Sequence, residues 1–306
     1  MSESLKAAAC AWQPAANKKN VYNKRFSTGE LPVEPNCYTL VWGPFCPWAT
    51  PVSMLIDLLG LDTVIAKSPV FPLRHSGIDN DWFFGEKDAD EDPILKTNRL
   101  SNLYRNADST FNDRAAVPTL VDIKTGKAVN NDSGILLTEL ATTWTAYEAA
   151  DAPDVFPKNK QTQILEYYQK IIDNLSHVIN TIGAVKSQAE YDKLSIQFFN
   201  QLSEFDNLLS DQDFLLGDTV TISDLLLFAR LIRFDLVFYF QNKLNQNRLE
   251  DFPNLWRYAK QCYALPAFKN NTNFKAIKQH FIQGSVDVHD FAHVLPSGPD
   301  TSKWSV

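Results

Sequence analysis

The chain has 306 residues, 44% of them hydrophobic and 12% aromatic, with a formal net charge of −7, which suits two globular domains. The acidic balance excludes the basic face that nucleic-acid phosphates require. Four scattered cysteines, Cys10, Cys37, Cys46 and Cys262, exclude a disulfide framework and point to a reducing, cytoplasmic compartment.

Residues 1–36 are polar and irregular, with Pro14, Pro32 and Pro35. They read as an extension that wraps a surface, and they lack the long apolar run of a secretion signal. The apolar run 38–42, YTLVW, predicts a strand, and the turn GPFCPWATP leads from it into a helix over 47–59. A second short strand is expected at 63–66. Residues 72–93 read as a loop carrying Trp82, Phe83, Phe84 and a solvated acidic run at 88–92, and a helix is expected over 94–107. Strands at 118–123 and 127–130 are joined by a turn at Thr125-Gly126, and a helix starts near Ser133.

After Pro153 and Pro157 the pattern changes to long helices, expected over 159–182, 188–210, 221–243, 252–264 and 273–283. Thr221-Ile222-Ser223-Asp224 has the form of a capping box, with Asp in place of the usual Glu. The apolar stretch ISDLLLFARLIRFDLVFYF is interrupted by Arg230, Arg233 and Asp235, so it reads as buried in protein rather than in a bilayer. The order of elements predicts a small α/β domain, 37–150, followed by an all-α domain, 151–295, and a tail, 296–306.

The chemistry centres on Cys46. A thiol at a strand-to-helix turn meets free N–H groups and the positive end of the helix dipole, which favour the reactive thiolate. Pro47 suits the first helical turn. Ala49 stands where a Cys-x-x-Cys pair would hold its second thiol, so a reaction at Cys46 needs an outside thiol to finish it. The alternative is a small buried hydrophobe. Val117-Pro118 opens a strand; it is either an ordinary strand start or a cis peptide whose preceding N–H and C=O face a ligand. Asp132-Ser133 is either a plain N-cap or a site where the hydroxyl and nearby N–H groups hold a carboxylate and Asp132 holds an ammonium.

As a set, these stretches resemble the glutathione transferase superfamily, and within it the Xi class, the glutathionyl-hydroquinone reductases. The resemblance is carried by CPWA at 46–49, DWFF at 81–84, LYRNADSTFNDRAAVPTLVD at 103–122, VNNDSGIL at 129–136, LIRFDLVFY at 231–239 and FPNLWRYAKQCY at 252–263. It implies a thioredoxin-like glutathione-binding domain, an all-helical partner domain, a homodimer and no metal. It further implies that Cys46 is the nucleophile and forms a mixed disulfide with glutathione. Trp82 would pack on the tripeptide, Val117 with Pro118 would pair with its cysteinyl part, and Asp132 and Ser133 would hold its γ-glutamyl end. The second substrate would be a small aromatic or quinol adduct in the cleft between the domains.

The sequence departs from the family at several points. The family follows CPWA with His-Arg, where this chain has Thr50-Pro51. It has Arg-Tyr where this chain has Cys37-Tyr38, and Glu where this chain has Asp132. Its two active-site tyrosines align near Asn180 and near Phe281 or Ile282, with Tyr168, Tyr191 or Tyr239 as candidates to compensate. These departures leave room for another thiol such as γ-glutamylcysteine, or for a binding or regulatory protein with little catalysis. His289 and His293 have the spacing of a zinc-binding pair but no third ligand. Cys37 and Cys46 lie too far apart along an extended strand to form a disulfide.

Overall fold

The computed structural model describes residues 22–74, 81–284 and 301–305. Cys10, His289 and His293 lie outside them. A four-stranded mixed sheet has the order β2-β1-β3-β4, built from β1 (Tyr38–Trp42), β2 (Ile65–Pro69), β3 (Thr119–Asp122) and β4 (Lys127–Asn130). β1 runs parallel to β2 and antiparallel to β3, and β4 pairs antiparallel with β3. All five residues of β1 are buried, which is why its sequence does not alternate; its one polar side chain, Thr39, pairs its hydroxyl with that of Ser68 at 3.1 Å. The helices of this half are α1 (Ala49–Leu58), α2 (Leu100–Ala107) and α3 (Ser133–Thr143). α1 packs on α3, and α2 lies along β4.

The second half is helical: α4 (Gln161–Lys170), α5 (His177–Ile182), α6 (Gln188–Leu208), α7 (Ile222–Arg233), α8 (Tyr239–Gln241), α9 (Pro253–Ala264), α10 (Pro266–Asn270) and α11 (Phe274–Lys278). Every residue of α7 is buried. It packs against α4 and α9 on one side and reaches across to α1 on the other. The Asp224 carboxylate reaches back to the Thr221 N–H at 2.8 Å, and its other oxygen takes the Leu215 N–H and the Tyr258 hydroxyl, each at 3.0 Å.

Several boundaries differ from expectation for local reasons. α2 starts at Leu100 because Asp92 takes the N–H groups of Ile94 and Leu95 at 3.0 and 2.8 Å, and Lys96 adopts φ 51°, making a turn of 92–98. β2 is displaced toward the C-terminus because Gly60, at φ +69°, and the short helical turn Leu61–Thr63 take up the preceding residues. An added Cβ at Gly60 would meet the Ala149 side chain at 2.7 Å, so both conformation and space require glycine there. Three expected helices contain π-type turns, at Ile171–Ser176, Phe234–Phe238 and Gln279–Gln283. Such turns re-aim side chains within a helix.

Residues 22–36 run beside the sheet edge. The Lys24 N–H donates to the Val129 carbonyl at 3.2 Å, the Asn131 N–H donates to the Tyr22 carbonyl at 2.8 Å, and Ser27 is held by buried Glu139 through two bonds of 2.8 and 2.6 Å. The extension thereby covers the free edge of β4. Among the described residues, no helix is long and apolar enough to cross a membrane.

Candidate functional site

Cys46 sits in the turn between β1 and α1, 9% exposed. Its N–H donates to the Gly43 carbonyl at 2.8 Å, and its carbonyl accepts from the Thr50 N–H at 3.0 Å and the Thr50 hydroxyl at 2.8 Å. The Trp48 and Ala49 N–H groups point at its sulfur, because the chain is entering a helix whose first N–H groups have no carbonyl behind them. The thiol donates to the Val117 carbonyl at 3.6 Å.

Burial pushes the Cys46 thiol up from its ordinary value. The Ala49 and Trp48 N–H groups and the charges of Arg233 and Arg230 pull it down. Burial has the larger effect, so the low-pKa thiol expected from the helix start alone does not describe this site. Cys37, Cys46 and Cys262 are free thiols.

Two of the other predicted residues stand at the same turn, Val117 through its carbonyl at the Cys46 sulfur and Trp82 through its ring against Phe45. The Val117–Pro118 peptide is cis. Asp132 is the N-cap of α3, its side chain accepting the Ile135 N–H at 2.9 Å. The Ser133 hydroxyl is buried without a hydrogen-bond partner. An unpaired buried hydroxyl at a helix start is costly to maintain and is available to a ligand. Trp82 is 2% exposed. Its ring lies 4.9 Å from Phe45 and 5.5 Å from His280, and the Arg74 guanidinium covers it at 4.6 Å.

Next to the Cys46 turn, a cleft of about 320 Å³ opens between the two halves. Pro47, Pro72, Arg74 and Arg114 line it from the sheet half, and Asn180, Phe238, His280 and Phe281 are among the residues facing them. Asn180 and Phe281 therefore do line the cleft, as their alignment with the family tyrosines requires. Tyr168, Tyr191 and Tyr239 do not line it. Tyr191 donates instead to the Lys243 carbonyl at 2.5 Å, and Tyr239 lies under the Arg248 guanidinium at 3.9 Å.

His280 stacks on Phe45 at 4.0 Å, and its Nδ1 lies 3.2 Å from the Pro72 carbonyl. Burial pulls it down to about 3, with Arg74, Arg114 and Arg233 adding to the effect, so it is neutral at physiological pH. His280, Arg74 and Arg114 escaped the sequence reading. Arg114 lies three residues before Val117, a usable signal. His280 reaches the cleft only through the π-type turn after α11, which no local pattern announces.

A family model described as "Glutathione S-transferase, C-terminal domain" matches residues 188–261. The glutathionyl-hydroquinone reductase YqjG of Escherichia coli is 30% identical over 274 residues, covering 89% of this chain and 82% of its own length. Its glutathione-bound structure superposes with a TM-score of 0.81 at 28% identity, covering 89% of this chain and 88% of that one. The Xi glutathione S-transferase of Phanerochaete chrysosporium superposes at 0.84 with 28% identity, over 94% of this chain and 97% of its own. The sheet half with its cysteine turn and the helical half thus define a glutathione transferase fold. The chain belongs to the glutathione transferase superfamily, in its Xi class.

Proposed function

We propose that this protein is a glutathione-dependent thiol transferase and oxidoreductase that reduces glutathionyl-hydroquinones or related glutathione adducts through Cys46. The observation that carries the reading is the placement of Cys46. Its sulfur lies 3.6 Å from the Val117 carbonyl and beside a cleft lined by Pro47. The unpaired Ser133 hydroxyl supports a thiol peptide lying along Val117, Asp132 and Ser133. A thiol peptide reaching Trp82 displaces the Arg74 guanidinium, which then meets a carboxylate at hydrogen-bond range.

The Cys46 thiolate attacks the glutathionyl sulfur. The Cys46–S bond forms, and the sulfur–aryl carbon bond breaks with its electron pair leaving on the carbon. That carbon takes a proton, and hydroquinone departs. A second glutathione, as thiolate, attacks the mixed disulfide; glutathione disulfide leaves and Cys46 is restored. One glutathione thiol and the thioether sulfur of the adduct are oxidised to the disulfide while the aryl carbon is reduced, so no outside oxidant or metal enters. Pairing of the glutathione cysteinyl N–H with the Val117 carbonyl removes the acceptor that holds the Cys46 proton, which favours the thiolate.

Residues 37–150 form the thiol-binding unit and 151–295 the acceptor wall in this reading, in a cytoplasmic homodimer. Sedimentation checks the homodimer and cell fractionation the compartment. The decisive assay is glutathione-dependent release of hydroquinone from a glutathionyl-hydroquinone, comparing wild type with Cys46→Ala. Turnover that vanishes with Cys46 is the expected result. No turnover in the wild type sinks the quinol assignment, and the same assay with γ-glutamylcysteine then asks whether the thiol differs.

A further inference from the structure

Two guanidinium groups lie buried behind Cys46 with no carboxylate among the described residues to meet them. Arg233, at 0% exposure, donates from Nε to the Phe45 carbonyl at 2.9 Å, from Nη1 to Ala229 at 2.6 Å, and from Nη2 to the Thr50 hydroxyl at 2.8 Å and Pro44 at 3.4 Å. Arg230, at 3%, donates from Nε to Ser176 at 2.9 Å and from Nη1 to Pro47 at 2.9 Å and Leu226 at 3.2 Å. Its Cζ lies 4.4 Å from the centroid of the Trp48 ring, and its Nη2 has no hydrogen-bond partner. Every acceptor is neutral. Burial lowers Arg230 to about 10 and Arg233 to about 9, so both stay charged at neutral pH. An unpaired buried cation costs several kcal/mol, and carbonyl oxygens offset only part of it.

The bonds have a direction. The Pro47 carbonyl and the Trp48 N–H belong to one peptide unit, and a trans peptide points them opposite ways. Arg230 holds the oxygen, so the N–H is turned toward the Cys46 sulfur, where it points. Thr50 is a second relay. Its hydroxyl donates to the Cys46 carbonyl at 2.8 Å and accepts from Arg233 at 2.8 Å. Burial favours the protonated thiol; the groups facing the sulfur are these N–H groups at the start of α1 and the two arginines of α7, which oppose burial, and the Val117 carbonyl ahead of β3, which accepts the thiol proton. His280 stacks on neighbouring Phe45 and carries no charge.

We propose that Arg230 and Arg233 are positioning residues whose charge, delivered through the Pro47–Trp48 peptide and the Thr50 hydroxyl, eases loss of the Cys46 proton against the opposing effect of burial. The nucleophile of one domain is then activated from a helix of the other. This rests on the reading of Cys46 as the nucleophile.

The test is alkylation of Cys46 by iodoacetamide across pH 5–10 without glutathione, quantified on the Cys46 peptide so that the other thiols do not intrude. Arg230→Met raises the midpoint by about one unit or more, a tenfold loss of alkylation rate below it. Arg230→Lys, which keeps a cation within reach of the Pro47 carbonyl, recovers most of that loss. Thr50→Val, close in shape but without the hydroxyl, gives a smaller rise, and it decides the matter if Arg230→Met loses its native near-ultraviolet circular dichroism. A folded Arg230→Met or Thr50→Val with the wild-type midpoint overturns the proposal. An arginine-dependent midpoint in a protein with no glutathione turnover sinks the proposed function and leaves this relay standing.

Discussion

The two walls of the proposed site are built by different means. The wall proposed to hold the thiol consists of backbone and cap: the Val117 carbonyl beside Cys46, the N-cap Asp132 and the Ser133 hydroxyl at the start of α3. The facing wall consists of side chains, Asn180, Phe238, His280 and Phe281, two of them on the π-type turn that follows α11. The first wall is fixed by topology, because any sequence that makes this strand order and these helix starts presents the same N–H and C=O groups. The second depends on individual side chains, so it can change while the fold stays. That is where this chain departs from its family's tyrosines.

The largest expected effect tests whether the helical wall stands on its own supports. Asp224→Ala removes the α7 cap and leaves the Leu215 N–H and the Tyr258 hydroxyl without their 3.0 Å acceptor. The cost is about 3 kcal/mol, read as a lower urea midpoint. An unchanged midpoint would show that α7 is held by packing alone. Next is the pH response of His280, whose folded value of about 3 lies below its ordinary 6.5. The unfolded chain binds the proton more readily, so the contribution is complete above pH 6.5 and declines as pH falls toward 3. Between pH 7 and pH 4.5 wild type should lose about 2 kcal/mol that His280→Phe, still able to stack on Phe45, does not lose. Equal pH slopes for the two proteins would place the histidine in water.

The same contrast explains what the sequence disclosed. The strand-turn-helix around Cys46, the Val117-Pro118 step and the Asp132-Ser133 cap were legible because each is a local pattern of backbone requirements. Thr221 to Asp224 was legible for the same reason. The thiol's charge state was not. A helix start argues for an anion, but burial is a property of the assembled domains and outweighs it. Arg230 and Arg233 appeared only as interruptions of an apolar helix. Their role depends on α7 reaching α1, a contact between residues more than 180 positions apart. Helix 221–243 was expected to run unbroken, yet it gives way to a π-type turn at Phe234, and no spacing rule marks such an insertion. The tyrosine losses were visible in sequence, but that both positions line one cleft required the fold.

Two smaller effects separate the walls functionally. Ser133→Ala removes the hydroxyl that has no partner within the protein, so the fold loses nothing and a bound thiol peptide loses one charge-assisted bond. The KM for glutathione should rise about tenfold with kcat for the acceptor little changed. An unaltered KM would remove Ser133 from the thiol site. Asn180→Tyr acts on the opposite wall. The Asn180 amide has a buried, unpartnered Nδ2, so replacing it breaks no bond, and a phenol there supplies a donor to a quinol oxygen. The expected gain in kcat/KM for a glutathionyl-hydroquinone is about fivefold, close to 1 kcal/mol, with the glutathione KM unmoved. A gain confined to the quinol adduct would mark this wall as the selector of the acceptor. If the gain fails while Ser133→Ala behaves as expected, thiol recognition stands and the natural acceptor is not a quinol, because the wall that changed sequence has then changed chemistry with it.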